Sequence, residues 1–417
     1  MKSLILNRKR TVHSAKCTFI HKFSTLGGIK GGLLCLFVLL MSSCSLVNED
    51  LEPCAPAPRT LTTVNFVYDY NMQYEDLFDQ HAGAVTLYVF DENGIMLFRE
   101  EKSKVDMPKD KIDFSMTFDD SVIKPGNTYN FVAMANGNHA GYDGMVDGTP
   151  GFQIAPDVEM VPGVSRIEDF IIRMDRDEDG NFDFGVVNYK DAYGNNQQMI
   201  DTVWSTKPDE VQEVKIPVFP YTPTVQQQPD NIVEVTVPMM RLTNSISVNV
   251  VHSSFTETMD PETYRLLVYF PNGNGTIDFT GNVYSYQPLF YQTLRKQMLP
   301  YTPKRQGDSF SSRADEDENT SYALNGVFGV SRLQMNDDSE LMVVDPNTNN
   351  VVASIQNFSS YLAHAFDYYG EEGQEFLDRE YNFEVDLALD DNNELYWIQI
   401  GCSILGWAKR VYYYDLQ

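Results

Sequence analysis

Asp175, Asp177, Asp179 and Asp183 place carboxylates at positions one, three, five and nine of a loop whose sixth position is Gly180. Oxygen ligands at that spacing around a sharp glycine turn are what a calcium loop presents. Position twelve is Val186, where a bidentate Glu belongs. Asp-Gly-Asn is also good turn chemistry, and Phe182 and Phe184 alternate around Asp183, so a strand–turn–strand with a solvated acidic loop is the favoured reading. The four aspartates stay a candidate calcium set, and no metal is expected. None of the six histidines has a partner at HExxH or HxH spacing, and the chain has no GxSxG elbow and no P-loop. Carboxylates are abundant, but nothing pairs two of them for acid–base work. No catalytic residue, no resident cofactor and no enzyme activity are expected.

The residue with a definite chemical prospect is Cys44. It follows Met41-Ser42-Ser43, directly after the apolar run Gly31–Met41, which seven basic residues (Lys2 to Lys30) and no acidic ones precede or flank. Eleven helical residues rise about 16 Å, against about 30 Å for a bilayer core, so the run is a signal-peptide core rather than a span. Small residues before a cysteine at this place match the bacterial lipobox. There the thiol accepts diacylglycerol, the chain is cut before the cysteine, and the new amine is acylated. Residues 1–43 are therefore expected to leave, taking Cys17 and Cys35, and the covalent lipid at Cys44 is expected to tether the protein to a membrane. Cys54 and Cys402 remain as a possible disulfide in an oxidising compartment, with two free thiols as the alternative.

The elements around these residues are strands. A chain of 417 residues suits two domains of about 200 residues, and 42% hydrophobic residues give enough material for two cores. With 31 basic and 59 acidic residues the net charge is −28, which disfavours contact with phosphate backbones, so no nucleic-acid partner is expected. The 24 Tyr, 25 Phe, 26 Gly and 20 Pro favour β structure with many turns.

Residues 44–61 are polar and carry Pro53, Pro56 and Pro58, as a lipidated tether would. Val64, Phe66, Tyr68 and Tyr70 then alternate with Asn65, Val67 and Asp69, the period of a half-buried strand. Val85–Phe90 and Ile95–Phe98 flank Asp91-Glu-Asn-Gly94, a hairpin signal in which both Asn93 and Gly94 should take positive φ. Residues 217–230 contain four prolines and a glutamine run and read as a linker. Alternation resumes from Ile232, forms a hairpin across 341–355, one short helix across 358–368, and a strand from Tyr381 to Leu389. The expectation is an all-β chain of two tandem β-sandwiches, 62–216 and 231–417.

Six stretches resemble, in order, the fimbrial anchor family of Bacteroidetes, the lipoproteins at the base of type V pili. They are Asp50–Cys54, Val64–Asn71, Val85–Gly94, Val132–Gly137, Val237–Ile246 and Gln374–Arg379. The resemblance implies two transthyretin-like sandwiches, a lipid anchor at Cys44 and a structural role holding a fimbrium to the outer membrane. Glu49 and Asp50 resemble the surface-export signal of lipoproteins from the same bacteria, which implies exposure on the outer face. In such pili a stalk precursor loses its first strand by proteolysis at an arginine, and a neighbour's C-terminal strand fills the groove. An anchor that kept its first strand would end the fibre. The implied partner is thus a fimbrial stalk subunit, bound by β-strand addition. Arg59 is the arginine within reach of such a protease. The candidate donor strand is the tail carrying Val411, Tyr413 and Asp415, although Tyr412–Tyr414 alternate poorly and the tail also reads as the last strand of the second sandwich. A surface adhesin or fibre-tip subunit that binds glycan or host protein is the alternative.

Overall fold

In the computed structural model the residues described are 55–137, 152–154, 159–174, 187–190, 196–199, 202–207, 210, 213–224, 226–252, 264–284, 288–292, 296–301, 321–390, 395–404 and 408–415. The first half of the chain runs through β1 (Thr60–Val67), β2 (Ala82–Asp91), β3 (Met96–Ser103), β4 (Met116–Phe118), β5 (Thr128–Gly137) and β6 (Phe152–Ile154). It continues through β7 (Ile171–Met174), β8 (Val187–Lys190), β9 (Asn196–Met199), β10 (Val203–Thr206), β11 (Glu213–Lys215) and β12 (Asn231–Arg241). The second half holds β13 (Thr243–His252), β14 (Arg265–Phe270), β15 (Thr276–Asp278), β16 (Leu289–Gln292), β17 (Lys296–Tyr301) and β18 (Ser321–Ser331). It ends with β19 (Glu340–Val344), β20 (Val351–Gln356), β21 (Asn382–Leu389), β22 (Leu395–Ile404) and β23 (Ala408–Asp415). Helices are few: α1 (Phe78–His81), α2 (Phe358–His364) and α3 (Gly370–Arg379). The fold is all-β.

Residues 1–56 with 223–226 form one compact unit, and residues 57–222 with 227–417 form the other. In the small unit the Ala55 amide donates to the Thr224 carbonyl at 3.0 Å. The large unit contains every described strand. Its eight-stranded sheet has the order β3-β2-β5-β10-β12-β1-β4, with β11 paired to β5. A six-stranded sheet, β17-β18-β13-β21-β22-β23, and a four-stranded one, β16-β14-β19-β20, complete the second half.

Alternation explains how the layers bury. Val64 and Phe66 of β1, Val85, Leu87 and Val89 of β2, and Phe131, Ala133 and Ala135 of β5 enclose the first core with Val235, Val237 and Met239 of β12. Tyr88 and Phe90, on the opposite face of β2, and Val132 and Met134 of β5 join the second core. There they meet residues of β13, β14, β19, α2 and α3. The β2–β5 pair is therefore covered on both faces, which is why Leu87–Phe90 reads as an unbroken apolar run.

Two expectations need correction. The boundary at 217–230 does not separate the sheets, because β12 pairs parallel with β1 along its length (Thr60↔Asn231 to Val67↔Pro238) and antiparallel with β10. The passage between the large sheets falls at Leu242, and β15 of the second half pairs with β7 of the first. In the 91–95 turn only Gly94 takes positive φ, +74°. Asp91 closes the turn instead, its Oδ1 accepting the amides of Asn93 (2.9 Å) and Ile95 (2.8 Å). A Cβ at Gly94 would meet Ile167 Cγ2 at 3.1 Å, so a glycine is required there on two grounds.

Candidate functional site

The first strand carries the functional question. β1 lies between β12 and β4, with Thr62↔Phe118 and Val64↔Met116 on the β4 side. Its inward residues Thr60, Thr62, Val64 and Phe66 are buried, Val64 completely. Thr63 and Thr117 stand directly opposite and their hydroxyls meet at 3.1 Å, as side chains do at a closely spaced antiparallel pair. The Phe66 ring packs on Phe78 (centroids 5.6 Å), which packs edge-on against Phe114 (5.5 Å).

Both ends of β1 are fastened. At its start the Arg59 amide donates to Asp230 Oδ1 and the guanidinium to Oδ2, each at 2.9 Å, and the Arg59 carbonyl accepts the Asn231 amide at 2.8 Å. The hydrogen bond to Asp230 raises the Arg59 pKa; the amide and guanidinium donors hold the Asp230 carboxyl below the usual range. Both side chains are solvated, so the pair adds little stability. What it sets is register, holding Arg59 so that Thr60 falls opposite Asn231. At the far end the Tyr68 amide donates to Asp76 Oδ1 (2.9 Å), and Asn71 Nδ2 donates to the carbonyls of Tyr68 (2.8 Å) and Glu75 (2.9 Å). Tyr68 is buried edge-on against Trp204, and burial drives its hydroxyl pKa up. Tyr70 follows, with the Lys207 ammonium 4.3 Å and the Arg379 guanidinium 4.2 Å from its ring; burial pushes its pKa to about 12.

Arg59 thus sits at the first rung of a ladder rather than in an open tether. A protease binds its substrate as an extended strand on both sides of the scissile bond. Here the residues after Arg59 are already paired with β12, and from Thr62 with β4 as well, so cleavage requires local unpairing of β1.

The remaining predicted residues scatter. Val411, Tyr413 and Asp415 lie in β23, opposite Gly401, Gln399 and Trp397 of β22. Cys402 lies in β22 opposite Phe383 and Arg410. Cys44, Cys54 and the calcium candidates Asp175, Asp177, Asp179 and Asp183 fall outside the described residues. Among the described residues no group of three or more His, Cys, Asp or Glu side chains could hold a metal ion, and no helix is long and apolar enough to cross a membrane. Asp230, the residue that fastens Arg59, gave no signal in the sequence, because it lies 171 positions away.

The profile of the fimbrillin-A associated anchor proteins Mfa1 and Mfa2 matches residues 51–413. The chain belongs to this anchor family. No curated protein sequence matches it. A polysaccharide-binding candidate from Bacteroides thetaiotaomicron is similar in structure, with TM-score 0.58 and 19% identity over 86% of this chain and 98% of that one. An adhesin candidate from the same organism gives TM-score 0.58 and 21% identity over 83% and 97%. One from Bacteroides ovatus gives 0.55 and 18% over 88% and 97%. These likenesses show a shared fold across nearly the whole of each relative. Membership of the anchor family makes this a fimbria-associated protein of structural type.

Proposed function

We propose that this member of the anchor family is the terminal subunit of a fimbrium, held to the outer membrane by lipid on Cys44 and facing outward. Its own β1 fills the position that a neighbour's donor strand would otherwise take, so the fibre ends here. The observation that carries this reading is the pairing of β1 with both β12 and β4, with Val64 and Phe66 sunk in the first core. Replacing an incumbent strand costs all of those main-chain bonds and the burial of its alternate side chains before a newcomer gains any. The Arg59–Asp230 clasp supports the anchor role, since it holds Arg59 at the first rung of the ladder, and a cut after Arg59 would part the chain from the lipid on Cys44. The two sandwiches are read as transthyretin-like, in keeping with the family.

The test is Cys44→Ala in cells that make the fimbrium. Fibres and the variant protein should appear in the medium, and the cell surface should lose them. Fibres that stay firmly attached to Cys44→Ala cells would contradict the anchor role. Glycan binding by the purified chain without any association with a fibre subunit would favour the adhesin reading instead.

A further inference from the structure

Among the described residues, the other edge of β12 is unpaired over Ile232–Thr236. Peptide N–H and C=O groups of successive strand residues point alternately to the two sides. The Asn231 amide donates to Arg59, so residues 231, 233, 235 and 237 face β1, and Ile232, Glu234 and Thr236 face away. Pro238, next in that series, accepts the Lys207 amide at 2.8 Å, and β10 pairs with β12 only over Met239–Arg241. Among the described residues no hydrogen bond reaches the backbone of Ile232, Glu234 or Thr236, and all three side chains are exposed, Ile232 at 65%.

This edge opens onto a cleft of about 710 Å³, walled by β12 on one side and by Phe131, Thr206 and Val214 on the other. Phe131, Val235 and Val237 belong to the first core, so the cleft lies on the flank of that core. The stacked Tyr70, Lys207 and Arg379 lie at one end. Lys207 is bonded to Glu210 and Arg379 to Glu375, whereas Asp69 and Glu234 have no cationic partner among the described residues.

We propose that this cleft receives an extended strand of a neighbouring fimbrial subunit, added to the free edge of β12. The inference rests on the anchor reading and names where the partner docks: beside the retained β1, not in its place. A row of unpaired peptide groups at two-residue spacing is complemented by another backbone and by no glycan or small ligand. Ile232–Thr236 spans about 16 Å, which fixes the incoming strand at five or six residues. Its alternate side chains are apolar, lying on Phe131, Val214, Val235 and Val237. Its outward face carries Lys or Arg against Glu234.

Hydrogen exchange read by mass spectrometry on the lipidated full chain, alone and in fibres purified with it attached, tests this. The amides of Ile232, Glu234 and Thr236 should slow at least tenfold in the fibre. Unchanged exchange there would overturn the proposal, as would protection that appears in the isolated chain when its concentration is raised, which marks a second copy as the occupant. Thr236→Pro removes one edge donor without touching the β1 ladder, and should lower the cell-attached fibre severalfold while the melting temperature stays near wild type. If Thr236→Pro unfolds, the exchange result on the unaltered chain decides. Fibres lost from Cys44→Ala cells but kept on folded Thr236→Pro cells would sink the cleft and spare the anchor. Fibres kept on Cys44→Ala cells would sink the anchor reading itself.

Discussion

β1 and β23 are strands of eight residues, the first and last of the fold, and their surroundings differ. β1 is paired on both sides, its inward face is in the first core, and turns or ion pairs fasten each end. β23 is paired with β22 alone and ends its sheet. β12 pairs with β1 along the whole length of β1, and β4 covers Thr62–Val64 on its other side, whereas an edge strand leaves one whole row of main-chain groups. Among the described strands the first is thus held inside its sheet, whereas the last forms an edge.

The sharpest way to break this contrast is to loosen β1 from within. Phe66→Ala removes a ring packed against Phe78 in the first core and should cost about 3–5 kcal/mol in urea unfolding. A loss below about 1 kcal/mol would mean that β1 is only loosely seated. The second core offers a matched perturbation away from any strand exchange. Arg332 and Asp378 form a buried two-point pair (2.7 and 2.8 Å), and Arg332→Ala should destabilise by a similar 3–5 kcal/mol while leaving the exposure of the Arg59–Thr60 bond to trypsin unchanged.

A gentler change sharpens the contrast without unfolding anything. Asp230→Ala should alter stability by no more than about 1 kcal/mol, because the pair it breaks is solvated. Limited trypsin digestion should nonetheless cut after Arg59 several times faster, as fraying of the first rung exposes the bond. An unchanged rate would show that the ladder alone protects it. The smallest effect concerns Asp337, whose burial holds its carboxyl above the usual range despite hydrogen bonds from Ser339 and Ser359. A raised folded value means that this group's contribution is fully present below the ordinary carboxylate pKa and is lost as pH rises through the folded value. Asp337→Asn should flatten that part of the profile, measured as urea midpoints between about pH 3 and 7, relative to wild type.

The local parts of this arrangement were legible in the sequence. Alternation from Val64 to Tyr68 marks a strand, Asp91–Gly94 marks a hairpin, and Tyr381–Leu389 marks β21, because each is written at period two or in turn chemistry. The pairings that decide function were not. β12 joins β1 across more than 160 residues, and no periodicity within either strand says which partner it takes. The prolines at 217–230 do break the ladder, but the chain returns to the same sheet before crossing over. Helix α3 is weakly written in the sequence because Gly370 and Gly373 lower the helix propensity of its first turn; packing of Phe376 and Leu377 into the second core stabilises it instead. Arg59 drew attention by its type, whereas its partner Asp230 emerges only once the fold brings the linker's end beside it.

The central claim is that β1 remains in the assembled protein. Mass spectrometry of this chain extracted from the outer membrane of fibre-bearing cells reads it directly. The account predicts a lipid-modified N-terminal peptide starting at Cys44 and an unbroken chain from there through β1, to Val67 and beyond. A mature chain that begins beyond Val67, without β1, would contradict it.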